Sequence, residues 1–180
     1  MGFEHAFDEV VLIEGGYSNN PLDSGGKTKW GITEAVARDF GYQGEMRDLP
    51  LTAARDIYKK EYWDRLKLDS VDPISTLIAR EMFEVGVNAG TTVAAIILQR
   101  CLNTFNRDQS DYMDIEVDGR MGRATIIALT AFKRFRGEEG IQVLWKAMNC
   151  LQGSYYVQLA EKRHKDEAFV YGWLKNRVVI

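Results

Sequence analysis

From Val93 to Phe105 the chain is apolar on more than one helical face, through Ala94, Ala95, Ile96, Ile97, Leu98, Cys101 and Leu102. A helix with no polar side is stable only when other elements surround it, so this run predicts a buried central helix. The rest of the chain supplies the wrapping. Phe3, Phe7, Val10 and Val11 recur at helical spacing until Gly15-Gly16 stops them. Thr33 reads as the cap of a short helix to Phe40, ended by Gly41, and Thr52 as the cap of one through Ala54, Ile57, Tyr58 and Tyr62. Asp72-Pro73 reads as a start for Ile74, Leu77, Ile78, Met82 and Val85, with a break at 86–90 and Thr91 or Thr92 capping the central helix. Gly122 to Phe135 predicts a further helix, and Ile141, Leu144, Trp145, Met148, Leu151, Tyr155 and Leu159 a long amphipathic stripe up to His164. Phe169 to Leu174 is apolar enough to pack back. Only Tyr17 to Trp30, dense in Asn, Asp, Ser and Gly, has the chemistry of turns and strands. The fold class is therefore mainly α, with at most a small β-hairpin near residues 17–32.

Composition removes several functions. The 180 residues carry a net charge of −3, without the basic surplus of a general nucleic-acid binder. Two histidines and two cysteines, in no cluster, argue against a zinc site, and Cys101 and Cys150 read as buried thiols on apolar helix faces. The acidic loop containing Asp108, Asp111, Asp114, Glu116 and Asp118 lacks the glycine and terminal glutamate of an EF-hand, so solvated charge is expected there rather than calcium. No metal or organic cofactor is expected. The longest apolar stretch, Val93 to Leu98, falls far short of the roughly 20 residues that span a bilayer, so no stable membrane insertion is expected. The first residues are acidic where a signal peptide would be basic, which predicts synthesis in the cytoplasm without a classical export signal. No repeat or linker divides the chain.

Glu14 is the first candidate for chemistry. At about 100° per residue it falls within roughly 20° of Phe7, on the face shared with Phe3 and Val10. Desolvation on an apolar face favours the protonated carboxyl, and a helix C-terminus pushes the same way, which is what a general acid needs near neutral pH. The two glycines that follow leave the carboxyl open to a substrate. The alternative is an ordinary helix-end glutamate turned to solvent or paired with Lys or Arg.

Asp23 lies nine residues on, and Thr28 five beyond it. One carboxyl to protonate a leaving oxygen, a second to hold water and a hydroxyl to orient it are the parts of an inverting glycosidase. Asp23 also reads as a turn residue before Ser24-Gly25-Gly26, and Thr28 as a β-prone residue in a short strand.

The series Glu14-Gly15-Gly16-Tyr17-Ser18-Asn19-Asn20-Pro21, Asp23-Ser24-Gly25-Gly26-Lys27-Thr28 and Trp30-Gly31-Ile32-Thr33 resembles the signature of the glycoside hydrolase family 108 N-acetylmuramidases, phage-type lysozymes that include proteins labelled secretion activators. The resemblance implies a lysozyme-like helical fold, Glu14 as catalytic acid, and cleavage of the β-1,4 bond between N-acetylmuramic acid and N-acetylglucosamine. It also implies catalytic roles for Asp23 and Thr28, and substrate contacts for Tyr17 and Trp30. In phage lysozymes more widely, the spacing from Asp to Thr is one residue longer. Trp30 suits stacking on a sugar ring and suits a core position equally.

Phe83-Glu84-Val85-Gly86-Val87-Asn88-Ala89-Gly90-Thr91 is similar to the junction of the family's catalytic and C-terminal parts, which makes Asn88 a candidate for the substrate cleft or for a local bond ending its helix. Val117-Asp118-Gly119-Arg120-Met121-Gly122-Arg123-Ala124-Thr125 resembles an element of peptidoglycan-binding modules, and reads physically as a turn leading into a helix. The expected organisation is a catalytic part over 1–90 and a peptidoglycan-binding-like part over 91–180, packed as one compact unit. The expected partner is peptidoglycan glycan strands, with no nucleic acid and a monomer favoured. A lytic transglycosylase and a non-catalytic wall-binding or secretion-regulating protein are the alternatives. Reaching the wall would take a holin-like pore or another route. Any positive surface for an anionic wall must be local, around Lys27, Lys29 or the cations of the second half.

Overall fold

The structure, a computed structural model, describes residues 2–14, 16–18 and 26–179, and of residues 12–14 it describes the backbone. The chain divides into two compact units, 1–64 and 65–180.

In the first unit, α1 (Gly2–Glu14) buries Phe3, Ala6, Phe7 and Val10 on one face, as the spacing predicts. Phe7 meets the Tyr58 ring edge-on at 5.5 Å, and Phe3 meets Trp63 at 5.6 Å. Each such side chain contributes about 1.5–3 kcal/mol through burial, so the position of α1 is set by its aromatic face. Three two-residue strands follow, β1 (Tyr17–Ser18), β2 (Thr28–Lys29) and β3 (Ile32–Thr33), in one antiparallel sheet of order β1-β2-β3. The third strand is one more than the predicted hairpin contains. Thr33 caps α2 (Glu34–Phe40), accepting from the Val36 amide at 3.4 Å, and Gly41 ends it. For α3 (Leu51–Tyr58) the predicted cap is corrected: Pro50 precedes the helix and Thr52 lies inside it. Pro50 has its φ of −66° already set, and its carbonyl accepts from the Ala54 amide at 3.0 Å, so the helix starts without a side-chain cap. A π-helical turn, Lys59–Asp64, continues it and buries Trp63.

In the second unit, α4 (Leu68–Val71) and α5 (Thr76–Ala89) precede α6 (Thr91–Phe105), which packs against α5 and α7 (Arg123–Lys162) as the predicted central helix. Ala94, Ala95, Ile97, Leu98, Gln99, Cys101 and Leu102 are buried on α6. Asp72 and Pro73 do not start α5. They close the turn after α4, with Asp72 N donating to Leu68 O and Ile74 N to Val71 O, and Ser75 caps α5 by accepting from the Ile78 amide at 3.3 Å. Nor does Gly86 break α5. A Cβ there would lie 2.7 Å from Leu66 Cδ1, so this glycine serves close packing while the helix runs on to Ala89. Gly90, not Thr91 or Thr92, stands at the cap of α6.

The two predicted helices of the C-terminal half are both present, meeting end to end within the span labelled α7 at Gly137, whose φ of 64° and ψ of −159° are not helical. Buried Gln152, Tyr156 and Ala160 form the inner face of the last turns of α7, while Tyr155 and Leu159 are half-buried. The reason is α8 (Glu167–Arg177), which packs back as predicted and brings Trp173 to 5.4 Å from the Tyr156 ring. Cys101 is buried, and desolvation pushes its thiol up to about 12. Cys150 is exposed, contrary to expectation, because Met148, Asn149 and Gln152 supply the buried face at that turn of α7.

Candidate active site

The end of α1 leads directly into the sheet. Glu14 is the last helical residue, and Tyr17 begins β1 three positions later. In the sheet, Ser18 pairs with Thr28 and Tyr17 with Lys29, while Thr28 also pairs with Thr33 across β3. The antiparallel return thus brings Thr28 back opposite a residue four positions beyond Glu14. Asp23, the predicted second carboxylate, lies outside the described residues, as does the Glu14 side chain.

Trp30 and Gly31 form the two-residue turn between β2 and β3, both at positive φ, 56° and 74°. A turn of this kind matches the twist of short antiparallel strands, but a bulky residue in the left-handed region is strained. Two hydrogen bonds hold it: the Trp30 indole Nε1 donates to Leu49 O and the Tyr58 hydroxyl donates to Trp30 O, both at 2.9 Å. Trp30 is half-buried, so the structure anchors its polar edge and leaves part of the ring accessible. Around it, Lys29 Nζ lies 5.2 Å from the Trp30 ring centre and donates to Arg47 O at 2.5 Å, and the Arg47 guanidinium stands 5.1 Å from the Tyr17 ring centre. Tyr17, Thr28 and Trp30 are therefore gathered on one small sheet with two cations against their rings. Such rings offer flat apolar surface to a sugar, and the cations offer donors to its hydroxyl and carbonyl oxygens.

Asn88 belongs to the second unit, where its Nδ2 donates to Glu84 O at 3.0 Å within α5. Of the two uses open to it in the sequence, this is the local bond near a helix end. Sequence reasoning passed over Arg47, whose role depends on tertiary placement, and also Glu81. For Glu81 the signal was present. It lies three residues after Ile78 and four before Val85, on the apolar stripe of α5, by the same geometry that singles out Glu14.

Glu81 is 6% exposed; Trp145 Nε1 donates to its Oε2 at 2.8 Å, and its Oε1 has no hydrogen-bond partner. Burial pushes the carboxyl up to about 6, against the smaller opposing pulls of the Asn149 amide and the Trp145 indole. The folded chain therefore holds this proton more tightly than the unfolded chain. The associated stability is fully present below about pH 4.5 and is lost as pH rises through about 6. The loss amounts to roughly 2 kcal/mol. Thermal melts across this window should show the wild-type chain losing more stability than a Glu81→Gln variant; parallel curves would refute the assignment.

Residues 7–90 match the family model described as glycosyl hydrolase 108. The first half of the chain is a glycosyl hydrolase 108 region. Residues 93–178 match the model of a predicted peptidoglycan domain. The chain is similar over 98% of its length, and 98% of the other chain, to a solved structure titled "Structure of Brucella abortus SagA", at 21% identity and a TM-score of 0.64. That likeness bears on the fold, which is mainly α and lysozyme-like as the sequence implies. No curated protein matches the chain. The glycosyl hydrolase 108 region contains Glu14, Asp23 and Thr28 with Tyr17, Trp30 and Asn88. It extends beyond the first compact unit, through α5. With the peptidoglycan domain that follows, it marks the protein as a peptidoglycan-acting hydrolase or binding protein. Among the described residues no helix is long and apolar enough to cross a membrane, and no group of three or more His, Cys, Asp or Glu is placed to hold a metal ion.

Proposed function

We propose that the protein is an N-acetylmuramidase that hydrolyses the β-1,4 bond between N-acetylmuramic acid and N-acetylglucosamine, with Glu14 as general acid. The observation that carries the reading is the sheet register: Thr28 returns opposite Ser18, four residues beyond the helix end where Glu14 stands. In this reading Glu14 protonates the leaving glycosidic oxygen, Asp23 holds the attacking water and Thr28 orients it. Tyr17 and Trp30 supply apolar surface for the sugar, and Asn88 stays a candidate contact only if it exchanges its bond to Glu84 for one to substrate. Residues 1–90 carry the chemistry and residues 91–180 hold the wall. Proton transfer and a positioned water suffice for the reaction.

Digestion of purified peptidoglycan followed by mass spectrometry of the released muropeptides tests this. Reducing N-acetylmuramic acid ends are expected. Ends carrying 1,6-anhydro-muramic acid would replace hydrolysis by a transglycosylase reaction, in which the sugar's own hydroxyl attacks and no water need be held. Release of N-acetylglucosamine ends would move the cleavage to the other glycosidic bond.

A further inference from the structure

The two cysteines of the chain, about 50 positions apart, line the same groove of the second unit. This cavity of about 370 Å³ lies between α6 and the helix that follows Gly137 in α7. Cys101 and Phe105 line it from α6, one turn apart, and Ala147, Cys150 and Leu151 line it from the facing helix at i, i+3 and i+4. Residues at those spacings share one edge of a helix, so the two thiols stand on opposite banks of one groove.

The two thiols differ in environment. Cys101 is 3% exposed, whereas Cys150 is exposed. Burial pushes the Cys101 thiol up to about 12; the neighbouring Arg100 charge opposes this, and a thiolate at Cys150 raises it further. An interaction between two charges weakens with distance and with screening by solvent, so the last effect marks the sulfurs as neighbours. Since the thiolate is the reactive form, Cys101 on its own stays protonated and inert, and Cys150 meets reagents first.

We propose that Cys101 and Cys150 form a redox site, closed by a low-molecular-weight disulfide into a bond that joins α6 to the helix after Gly137. In the first step the Cys150 thiolate attacks one sulfur of the reagent, breaking its S–S bond, and the other half leaves as a thiolate. Cys101 Sγ then attacks Cys150 Sγ and gives its proton to the second departing thiolate. The reagent disulfide is reduced to two thiols, and the two protein thiols are oxidised to one disulfide. A reducing compartment keeps the site open and an oxidising one closes it, whether or not the chain cleaves peptidoglycan. Closing a loop of about 50 residues restricts the unfolded chain, so the bond stabilises the fold.

The test treats the full chain with oxidised glutathione and measures intact mass, non-reducing peptide maps and melting temperature, with Cys150→Ser alongside. Wild type should lose the mass of two hydrogens and yield a peptide pair linked through Cys101 and Cys150. Its melting temperature should rise by about 10 °C and return on addition of dithiothreitol. Cys150→Ser, which changes an exposed side chain, should fold as wild type and take up no glutathione at Cys101. Glutathione that persists on Cys150 of the wild type, a Cys150-linked dimer, or thiols that stay unoxidised would each overturn the site. Reaction of Cys101 in the Cys150→Ser variant would overturn the order of the two steps.

Discussion

Glu14→Gln should lower the rate of peptidoglycan lysis by about 10³-fold, the scale of a lost general acid. The amide has the shape of the carboxyl but no proton to give to the leaving sugar oxygen. The helix that carries position 14 is held by Phe3, Ala6, Phe7 and Val10, none of which the substitution touches. Melting temperature and sacculus binding should therefore stay at their wild-type values while dye release from labelled peptidoglycan falls. Undiminished lysis would take Glu14 out of the mechanism and shift attention to Asp23.

Gln99→Leu should destabilise the chain by about 3 kcal/mol, because its side chain is the inner scaffold of the 118–120 turn. Leucine is close in size, so little packing is lost. What disappears is the set of bonds to Asp118 Oδ1, Arg120 O and Gly119 N at 2.9–3.0 Å, with Thr125 Oγ1 at 3.3 Å. The Gly119 amide would lose its partner beside apolar leucine, and a stranded polar group costs more than the net value of the bond it made. For a chain of this size the melting temperature should fall by about 10 °C. A change within about 0.5 kcal/mol in denaturant unfolding would show that water replaces the glutamine at no cost.

Several elements were legible because their causes lie within a few residues. Thr33 and Gly41 bound α2 by bonds to their own neighbours, and the apolar spacing of Phe3, Phe7 and Val10 selects the buried face of α1. Other local signals were outcompeted. Asp72-Pro73 has the composition of a helix start, yet the chain uses it to close α4, leaving the cap to Ser75. Gly86 and Gly90 look alike as stops, but Leu66 makes the first a packing contact inside α5. Cys150 sits on a helix apolar enough to suggest burial, and which face turns inward depended on the polar core residues Asn149 and Gln152.

The candidate site divides along the same line. The types and order of Glu14, Asp23, Thr28 and Trp30 point to glycoside chemistry, since the residues a reaction needs are written in the chain whatever its fold. The pairing of Thr28 with Ser18, the anchoring of Trp30 through Leu49 and Tyr58, and the cation of Arg47 against Tyr17 are consequences of folding. So are the partners of Glu81 and Gln99, which lie 64 and about 20 residues away along the chain. Helix caps, stops and amphipathic faces follow from short-range sterics and periodicity, which operate within one or two turns. Burial of a charge and the partner of a buried amide depend on residues distant in sequence, and only packing brings those together.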